Sequence, residues 1–403
     1  MIFLLGKIPK FDLIHGLPVL AQMTAELLEE QKVVVVGTTG LSASGKTTAV
    51  TQQLNGLFGG KGLIYSQDGY YRGQQFINAQ AALGTIINYD QPEAIDLKFY
   101  GRQLSELISG QPINKPVYDF ETGESVGYET LQPHDLLLPE GLFVLNDDVR
   151  DLVNIGVFVD ITTHGQTWRR IPRDMIRTKQ KPADILKYFA EVVVPMQRRY
   201  IETQKKNADI IITNEYDPYQ EAGRIGLFEV QLKFKTVLNA EFLRMLGVER
   251  LGLLVEQTDI YYNPDRDLSC TGESLRIREE GNPNEPVKYM TLTYKGPQVP
   301  GSKFRERPKI EFEIDEPTKK AFLSIYGNRF KIIKKKRTLY ILNGIVFSFD
   351  EVVKIENGVT YDLGNFIEIR TTRTGVTRPE IDIIMERLGL DINNGIKESY
   401  VEM

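Results

Sequence analysis

The sequence predicts a two-part chain: a parallel α/β sheet of the P-loop NTPase type, followed by an antiparallel β-barrel. Three observations carry this prediction. The run Val33-Val34-Val35-Val36-Gly37, patterned as a fully buried strand, leads directly into Gly40-Leu41-Ser42-Ala43-Ser44-Gly45-Lys46-Thr47-Thr48. Short apolar runs then alternate with helical stretches as far as about Asn214, the rhythm of βαβ units. After about Gly226 the texture changes to period-two strands with polar and apolar residues in alternation. At 403 residues the chain is also longer than a single core usually serves, which fits two domains.

The elements follow in order. Residues 1–32 form a leader in which Leu17 to Glu29 has helical apolar spacing. The first domain, 33–222, continues with strands at Gly62 to Tyr65, Leu136 to Leu138, Ile155 to Val159 and Asp209 to Thr213. A joint rich in turn residues, Glu215 to Gly223, precedes the second domain, 226–403. There the alternating runs are Glu229 to Lys235, Ser274 to Arg278, Tyr289 to Tyr294, Lys309 to Ile314, Arg337 to Leu342 and Phe366 to Arg370.

Composition excludes several classes. With 26% charged residues and a net charge of -5 there is no general attraction to nucleic acid or to an anionic membrane. The single cysteine, Cys270, rules out an internal disulfide framework and suits a reducing compartment, and His15, His134 and His164 are all remote from it in sequence. The apolar Met1 to Leu5 is too short for a signal segment and no stretch approaches membrane-span length, so a cytoplasmic protein is expected. A homo-oligomer is left open.

The glycine-rich loop carries the first chemistry. Its glycines let successive backbone N–H groups converge on phosphates, Lys46 reaches the β/γ oxygens, and Thr47 can hold Mg²⁺ at a helix start. Gly40, Ser42, Ser44, Gly45, Lys46, Thr47 and Thr48 are therefore the expected nucleoside triphosphate site. Phosphoryl transfer also needs an acceptor for the hydroxyl proton and further cations. Asp68, after the second strand, falls at the carboxyl edge of the sheet beside the loop. Asp90, the aromatic pair Tyr118 and Phe120, and the cluster Trp168-Arg169-Arg170-Ile171-Pro172-Arg173 are further candidates.

Taken in order, these signatures resemble the uridine kinase and phosphoribulokinase family. They are the loop, Gln67-Asp68-x-Tyr70-Tyr71, Asn88-Tyr89-Asp90-x-Pro92-x-Ala94, Pro116-x-Tyr118-Asp119-Phe120, Glu140-Gly141 and Asn207-Ala208-Asp209. The resemblance implies that ATP or GTP is bound with Mg²⁺, that Asp68 is the catalytic base for a ribose-type hydroxyl, and that Tyr71, Asp90, Tyr118 and Phe120 line the acceptor site. It implies a metal-side role for Glu140 and charge stabilisation by Arg169 and Arg173. This chain departs at Gly123, where uridine kinases carry a histidine, and at Arg177-Thr178-Lys179-Gln180-Lys181, where they carry an Arg-Gly-Arg lid.

In the second half, period alone leaves two readings of strands such as Glu229-Val230-Gln231-Leu232-Lys233: charges facing solvent, or a charged barrel interior gripping a polyanion. Residues 226–403 resemble the CYTH, or triphosphate tunnel metalloenzyme, family through Glu229-x-Gln231-x-Lys233, Leu275-Arg276-Ile277-Arg278, Thr293-Tyr294-Lys295, Glu311-x-Glu313, Lys334-Lys335-Lys336-Arg337, Phe349-Asp350-Glu351 and Phe366-Ile367-Glu368. The resemblance implies an eight-stranded tunnel in which Lys233, Arg276, Arg278, Lys295, Lys335 and Arg337 bind phosphates. It implies Glu229, Glu311, Glu313, Asp350 and Glu368 as ligands for Mg²⁺ or Mn²⁺. Gln231 and Arg370 stand where the family carries acids.

Three functions are thus in view: an ATP-dependent kinase acting on a nucleoside or sugar-phosphate hydroxyl, a pyrophosphatase or triphosphatase of the tunnel with the kinase half as nucleotide sensor, and a polyphosphate- or nucleotide-binding regulatory module without turnover.

Overall fold

A computed structural model describes residues 8–84, 87–221, 228–236, 249–250, 254–264, 266–281, 289–301, 305–327, 330–342, 345–372, 382, 385–396 and 398–403. The chain divides into two compact units, Met1–Tyr216 and Asp217–Met403.

The first unit holds β1 (Lys10–Asp12), β2 (Val34–Gly40), β3 (Leu63–Ser66), a hairpin of β4 (Ile113–Asp119) and β5 (Glu124–Leu131), then β6 (Leu136–Glu140), β7 (Ile155–Asp160) and β8 (Ile210–Thr213). Six of these make a parallel sheet in the order β1-β8-β7-β2-β6-β3. Every residue of β2 is buried, as a central strand covered on both faces must be. Alternate side chains feed two cores. Val34, Val36, Leu136, Leu138, Val157 and Val159 pack towards α1 (Leu13–Glu30) and α2 (Gln52–Leu57), while Val35, Leu137 and Phe158 join Tyr100, Leu104 and Leu107 of the later helix Leu97–Ile108.

Most predicted strands fall within a residue or two of the observed ones. Two features differ. The described part of the leader contains β1, which extends the parallel sheet beside β8, and its helix starts at Leu13, capped by Asp12 accepting from the His15 amide. The β4–β5 hairpin interrupts the βαβ rhythm with an antiparallel pair.

At the end of β2 the backbone of Gly40 takes φ +148°, and a Cβ there would lie 2.2 Å from the Val159 carbonyl oxygen. Gly40→Ala is expected to cost at least about 2 kcal/mol. Differential scanning calorimetry should show it as a melting point lowered by several degrees.

The second unit is antiparallel throughout. β9 (Phe228–Thr236), β11 (Val255–Tyr262), β12 (Ser274–Gly281), β13 (Tyr289–Lys295), β14 (Arg305–Glu313), β15 (Phe330–Leu342), β16 (Ile345–Glu356) and β17 (Val359–Thr372) form one sheet, with the two-residue β10 (Glu249–Arg250) added on β15. The order runs β15-β11-β12-β13-β14-β9-β17-β16, and β16 pairs again with β15 from Ile332↔Ile355 to Leu342↔Ile345. The ring of eight is therefore closed. β11 and β16 complete the strands expected from the alternating runs.

The register resolves the two readings of the period. Lys233 faces Glu368, Arg276 faces Tyr261, Arg278 faces Asp259, and Arg337 faces Asp350 across adjacent strands, so these side chains share one surface. That surface is the interior: Lys233 is 1% exposed, Asp259 and Asp350 0%, and Glu368 1%. The apolar set is buried on the outside; Tyr262 meets Phe322 of the helix Glu316–Tyr326 edge to face at 5.0 Å.

Candidate active site

In the first unit the neighbours β2, β6 and β3 all end at one edge, and each delivers a functional residue there. β2 runs into the glycine-rich loop, β6 ends on Glu140, and β3 leads into a 3₁₀ turn bearing Asp68, whose amide is held by Ser66 Oγ at 3.3 Å. Thr47 Oγ1 donates to Glu140 Oε2 at 2.8 Å. The Lys46 ammonium rests on the Gly40 and Leu41 carbonyls at 3.1 and 3.0 Å. Burial pushes Lys46 down to about 8, against the pull of Glu140 and Asp68. Burial raises the Asp68 carboxyl, and the Glu140 charge adds to the rise, while Lys46, Arg177 and Lys115 oppose it. Asp90 is also raised by burial, against Arg170 and Lys46. The Asp68 carboxyl, a lysine and a hydroxyl–carboxylate pair thus converge on one edge of the sheet.

The far side of the loop is braced. α3 (Gly73–Ala82) packs on β5 and α4 (Leu97–Ile108) on β4, and α5 (Thr163–Thr178) follows β7. From α5, Gln166 Nε2 donates to the Ser42 carbonyl and Arg170 Nη1 to Ser42 Oγ, both at 2.8 Å. Asn214 Nδ2 at the end of β8 donates to the Ser44 carbonyl at 2.7 Å. Arg169 donates to the carbonyls of Asn214 and Glu215, each at 2.9 Å, so its guanidinium ties α5 to the segment after β8. Arg173 and Arg170 both bridge Asp174, at 2.7 and 3.0 Å. Ser44 Oγ is buried without a hydrogen-bond partner among the described residues, and Thr48 is exposed.

The acceptor candidates cluster as rings. Tyr71 meets Tyr89 at 5.6 Å, Tyr118 at 5.4 Å and Phe120 at 6.4 Å, and the Arg177 guanidinium lies 3.6 Å from the Phe120 centroid. Tyr71 is drawn there by its bridge to Ile95. Gly123 sits in the β4–β5 turn at φ +72°, and an added Cβ would lie 3.5 Å from the Tyr89 hydroxyl. The turn therefore favours glycine over any side chain.

In the second unit the barrel interior is an ion-pair lattice. Asp259 receives Arg276 at 2.9 Å, Arg278 at 2.6 Å and Lys335 at 2.7 Å. Burial alone would raise its carboxyl, but these cations hold it far below the usual range. Arg337 spans two acids, with Nε 2.7 Å from Asp350 and Nη2 2.5 Å from Glu368. Lys309 lies 3.0 Å from Glu311, and with Arg276 it holds that carboxyl down to about 2 against the effect of burial. Glu313 is exposed, and the side chains of Glu229 and Arg370 lie outside the described residues. Tyr400 Oη donates to Asp350 at 3.2 Å, and the Lys233 ammonium sits 4.3 Å from the Tyr400 ring centroid. A cavity is lined by Gln231, Lys233, Arg276, Lys295, Arg307 and Lys335 among others.

These two arrangements have counterparts. The model of the phosphoribulokinase / uridine kinase family matches residues 35–217, and that of the CYTH domain matches 228–400. The uridine kinase of Streptococcus equi subsp. zooepidemicus is 35% identical over 184 residues, covering 45% of this chain and 88% of its own length. This chain belongs to the phosphoribulokinase / uridine kinase family. Uridine-cytidine kinase C of Dictyostelium discoideum is 26% identical over 403 residues, 98% of this chain and 82% of its own. Among solved structures, phosphoribulokinase from Rhodobacter spheroides aligns at 17% identity and a TM-score of 0.36, over 63% of this chain and 81% of its own.

The chain is thus a P-loop kinase of the uridine kinase type that also carries a CYTH domain. Members of such families use nucleotides and divalent metals in general. Among the described residues no helix is long and apolar enough to cross a membrane. In this kinase the structure brings Lys46, Thr47, Glu140 and Asp68 together and gathers Tyr71, Tyr118 and Phe120 into one cluster. Sequence reasoning named Arg170 only as a member of the arginine cluster and gave no role to Asn214 or Asp174, which with Arg170 brace the loop, nor to Asp259, Arg307 and Tyr400, which shape the tunnel. Asp259 had a signal: it alternates with Gln257 and Tyr261 on the strand facing Arg278.

Proposed function

We propose that the first unit transfers the γ-phosphoryl group of ATP, or GTP, to a hydroxyl of a nucleoside or sugar phosphate. The observation that supports this best is the convergence of Asp68 and Lys46 beside the Thr47–Glu140 pair. Thr47 and Glu140 suit Mg²⁺, which takes one or two protein oxygens and keeps its other positions for phosphate and water; when bound it would neutralise charge on the transferring group. Asp68 accepts the proton of the attacking hydroxyl, and its raised carboxyl makes it a stronger base than an ordinary aspartate. Lys46 exchanges its two carbonyl contacts for phosphate oxygens. Arg173, exposed on α5, reaches over the transferring group, while Arg169 acts by positioning the loop's support. Tyr71, Tyr118 and Phe120 offer ring faces to the acceptor, with Asp90 for its hydroxyls.

For the second unit we propose that the tunnel binds an inorganic oligophosphate. Arg276 Nε and Nη2 are buried without a hydrogen-bond partner among the described residues, and Arg276 lines the cavity. Unmatched guanidinium donors in a cationic cavity call for an anion with several oxygens.

The test is a screen of the full chain with ATP and GTP against nucleosides and sugar phosphates, beside pyrophosphate and tripolyphosphate alone. Lys46→Ala should abolish transfer to the acceptor that the screen identifies. Transfer at the wild-type rate in that variant would sink the kinase assignment. Release of phosphate from pyrophosphate or tripolyphosphate, lost in Arg276→Ala and kept in Lys46→Ala, would assign hydrolysis to the tunnel.

A further inference from the structure

Among the described residues, three of the carboxylates expected to hold a tunnel metal, Glu311, Asp350 and Glu368, are committed to cations. Asp350 and Glu368 both hold Arg337, Glu311 holds Lys309 and accepts from Thr293 at 2.8 Å, and Asp259 is saturated by Arg276, Arg278 and Lys335. Among the described residues no three of His, Cys, Asp or Glu come close enough to hold a metal ion. On the cavity wall Gln231 supplies a neutral amide, which adds an oxygen but no charge. Hard divalent cations are selected by carboxylate number and by oxygens free to coordinate. The donor set of the described residues does not fit one. To recruit Asp350 and Glu368 for a metal, Arg337 would have to give up both of its partners inside a closed barrel.

Among the described residues that line the cavity, cations outnumber carboxylates. Lys233, Arg276, Lys295, Arg307 and Lys335 all line the cavity, and all are buried. Among the described residues Glu368 is the one carboxylate on that wall. Arg276, two of whose nitrogens have no hydrogen-bond partner among the described residues, is one of these lining cations.

We infer that the tunnel takes its oligophosphate through guanidinium and ammonium groups directly, with no divalent cation between protein and ligand. The inference rests on the oligophosphate reading of the tunnel. It also gives Glu368 an inhibitory role: by holding Arg337 and placing negative charge on the cavity wall, it weakens the site rather than completing it.

Titration calorimetry of tripolyphosphate into full-length protein tests this. The Lys46→Ala background silences the glycine-rich loop, and the titration is run in EDTA and again in excess Mg²⁺ or Mn²⁺. Binding in EDTA should equal or exceed binding with metal. Arg276→Gln and Lys295→Met should each weaken it by about ten- to a hundredfold, the worth of a hydrogen bond to a charged group. Glu368→Gln should tighten it, with circular dichroism confirming that each variant is folded. Binding that appears only with metal, or that Glu368→Gln weakens, overturns the metal-free mode and leaves the oligophosphate reading standing. No binding under either condition removes the oligophosphate reading itself.

Discussion

Asp68→Asn is expected to leave nucleotide affinity near the wild-type value and to lower the rate of phosphoryl transfer by about 10²- to 10⁴-fold, the usual worth of a positioned general base. The carboxylate and the amide have the same shape, and Asp68 makes its structural contact through its backbone amide to Ser66, so the turn survives the exchange. A pH profile gives a second readout. Burial and the Glu140 charge raise the Asp68 carboxyl above its usual value near 3.8. Protonated Asp68 cannot accept the hydroxyl proton, so the rate should fall as pH drops through that raised value, and the limb should vanish in the Asn variant. An unchanged turnover number in Asp68→Asn would exclude this residue as the base.

Asp259→Asn should be the most damaging single exchange in the second unit. The carboxylate is fully buried and neutralises Arg276, Arg278 and Lys335 together. Without it three cations are left facing one another inside the barrel. Breaking a buried ion pair costs about 3–5 kcal/mol, which for a unit of this size lowers the melting temperature by about 6–20 °C. Tripolyphosphate should restore part of the loss, because an anion bound to the native barrel shifts the unfolding equilibrium by mass action. The pH dependence has a definite sign. The folded value of Asp259 is depressed, so its contribution is complete above the unfolded value of about 3.9. It is lost only as pH falls towards the much lower folded value. Equal melting curves for wild type and variant would mean that the cation cluster is balanced by something other than this carboxylate.

Much of the kinase site was legible because its residues follow strand ends, and strand ends of a parallel sheet share one edge. The spacing of Lys46, Asp68 and Glu140 along the chain was enough to bring them together. Arg169 and Arg170 are neighbours in sequence, and only the orientation of α5 decides that one meets backbone carbonyls after β8 while the other reaches Ser42. The β4–β5 hairpin was hidden for a different reason: its strands are polar on much of their length, with Glu124, Tyr128 and Glu129 open to solvent in varying degree, so no apolar period marks them. In the barrel, alternation is symmetric with respect to inside and outside. Which face is interior follows from closure of the ring, which depends on β9 pairing with β14 and β17 and on β11 pairing with β15, partners far apart in sequence that no local pattern contains.

Closure also has a temporal side. Lys233 on β9 pairs with Glu368 on β17, so the first strand of the barrel can pair with β14 midway but finds its second neighbour only when nearly the whole second unit exists. Contacts so far apart in sequence fold slowly. During synthesis the first unit, complete by Tyr216, can form its sheet while β9 still waits with an unpaired edge and an uncompensated lysine. The interval before β17 emerges is when this chain is most exposed to aggregation, and stalled or truncated products ending before Val359 should be the ones that chaperones capture.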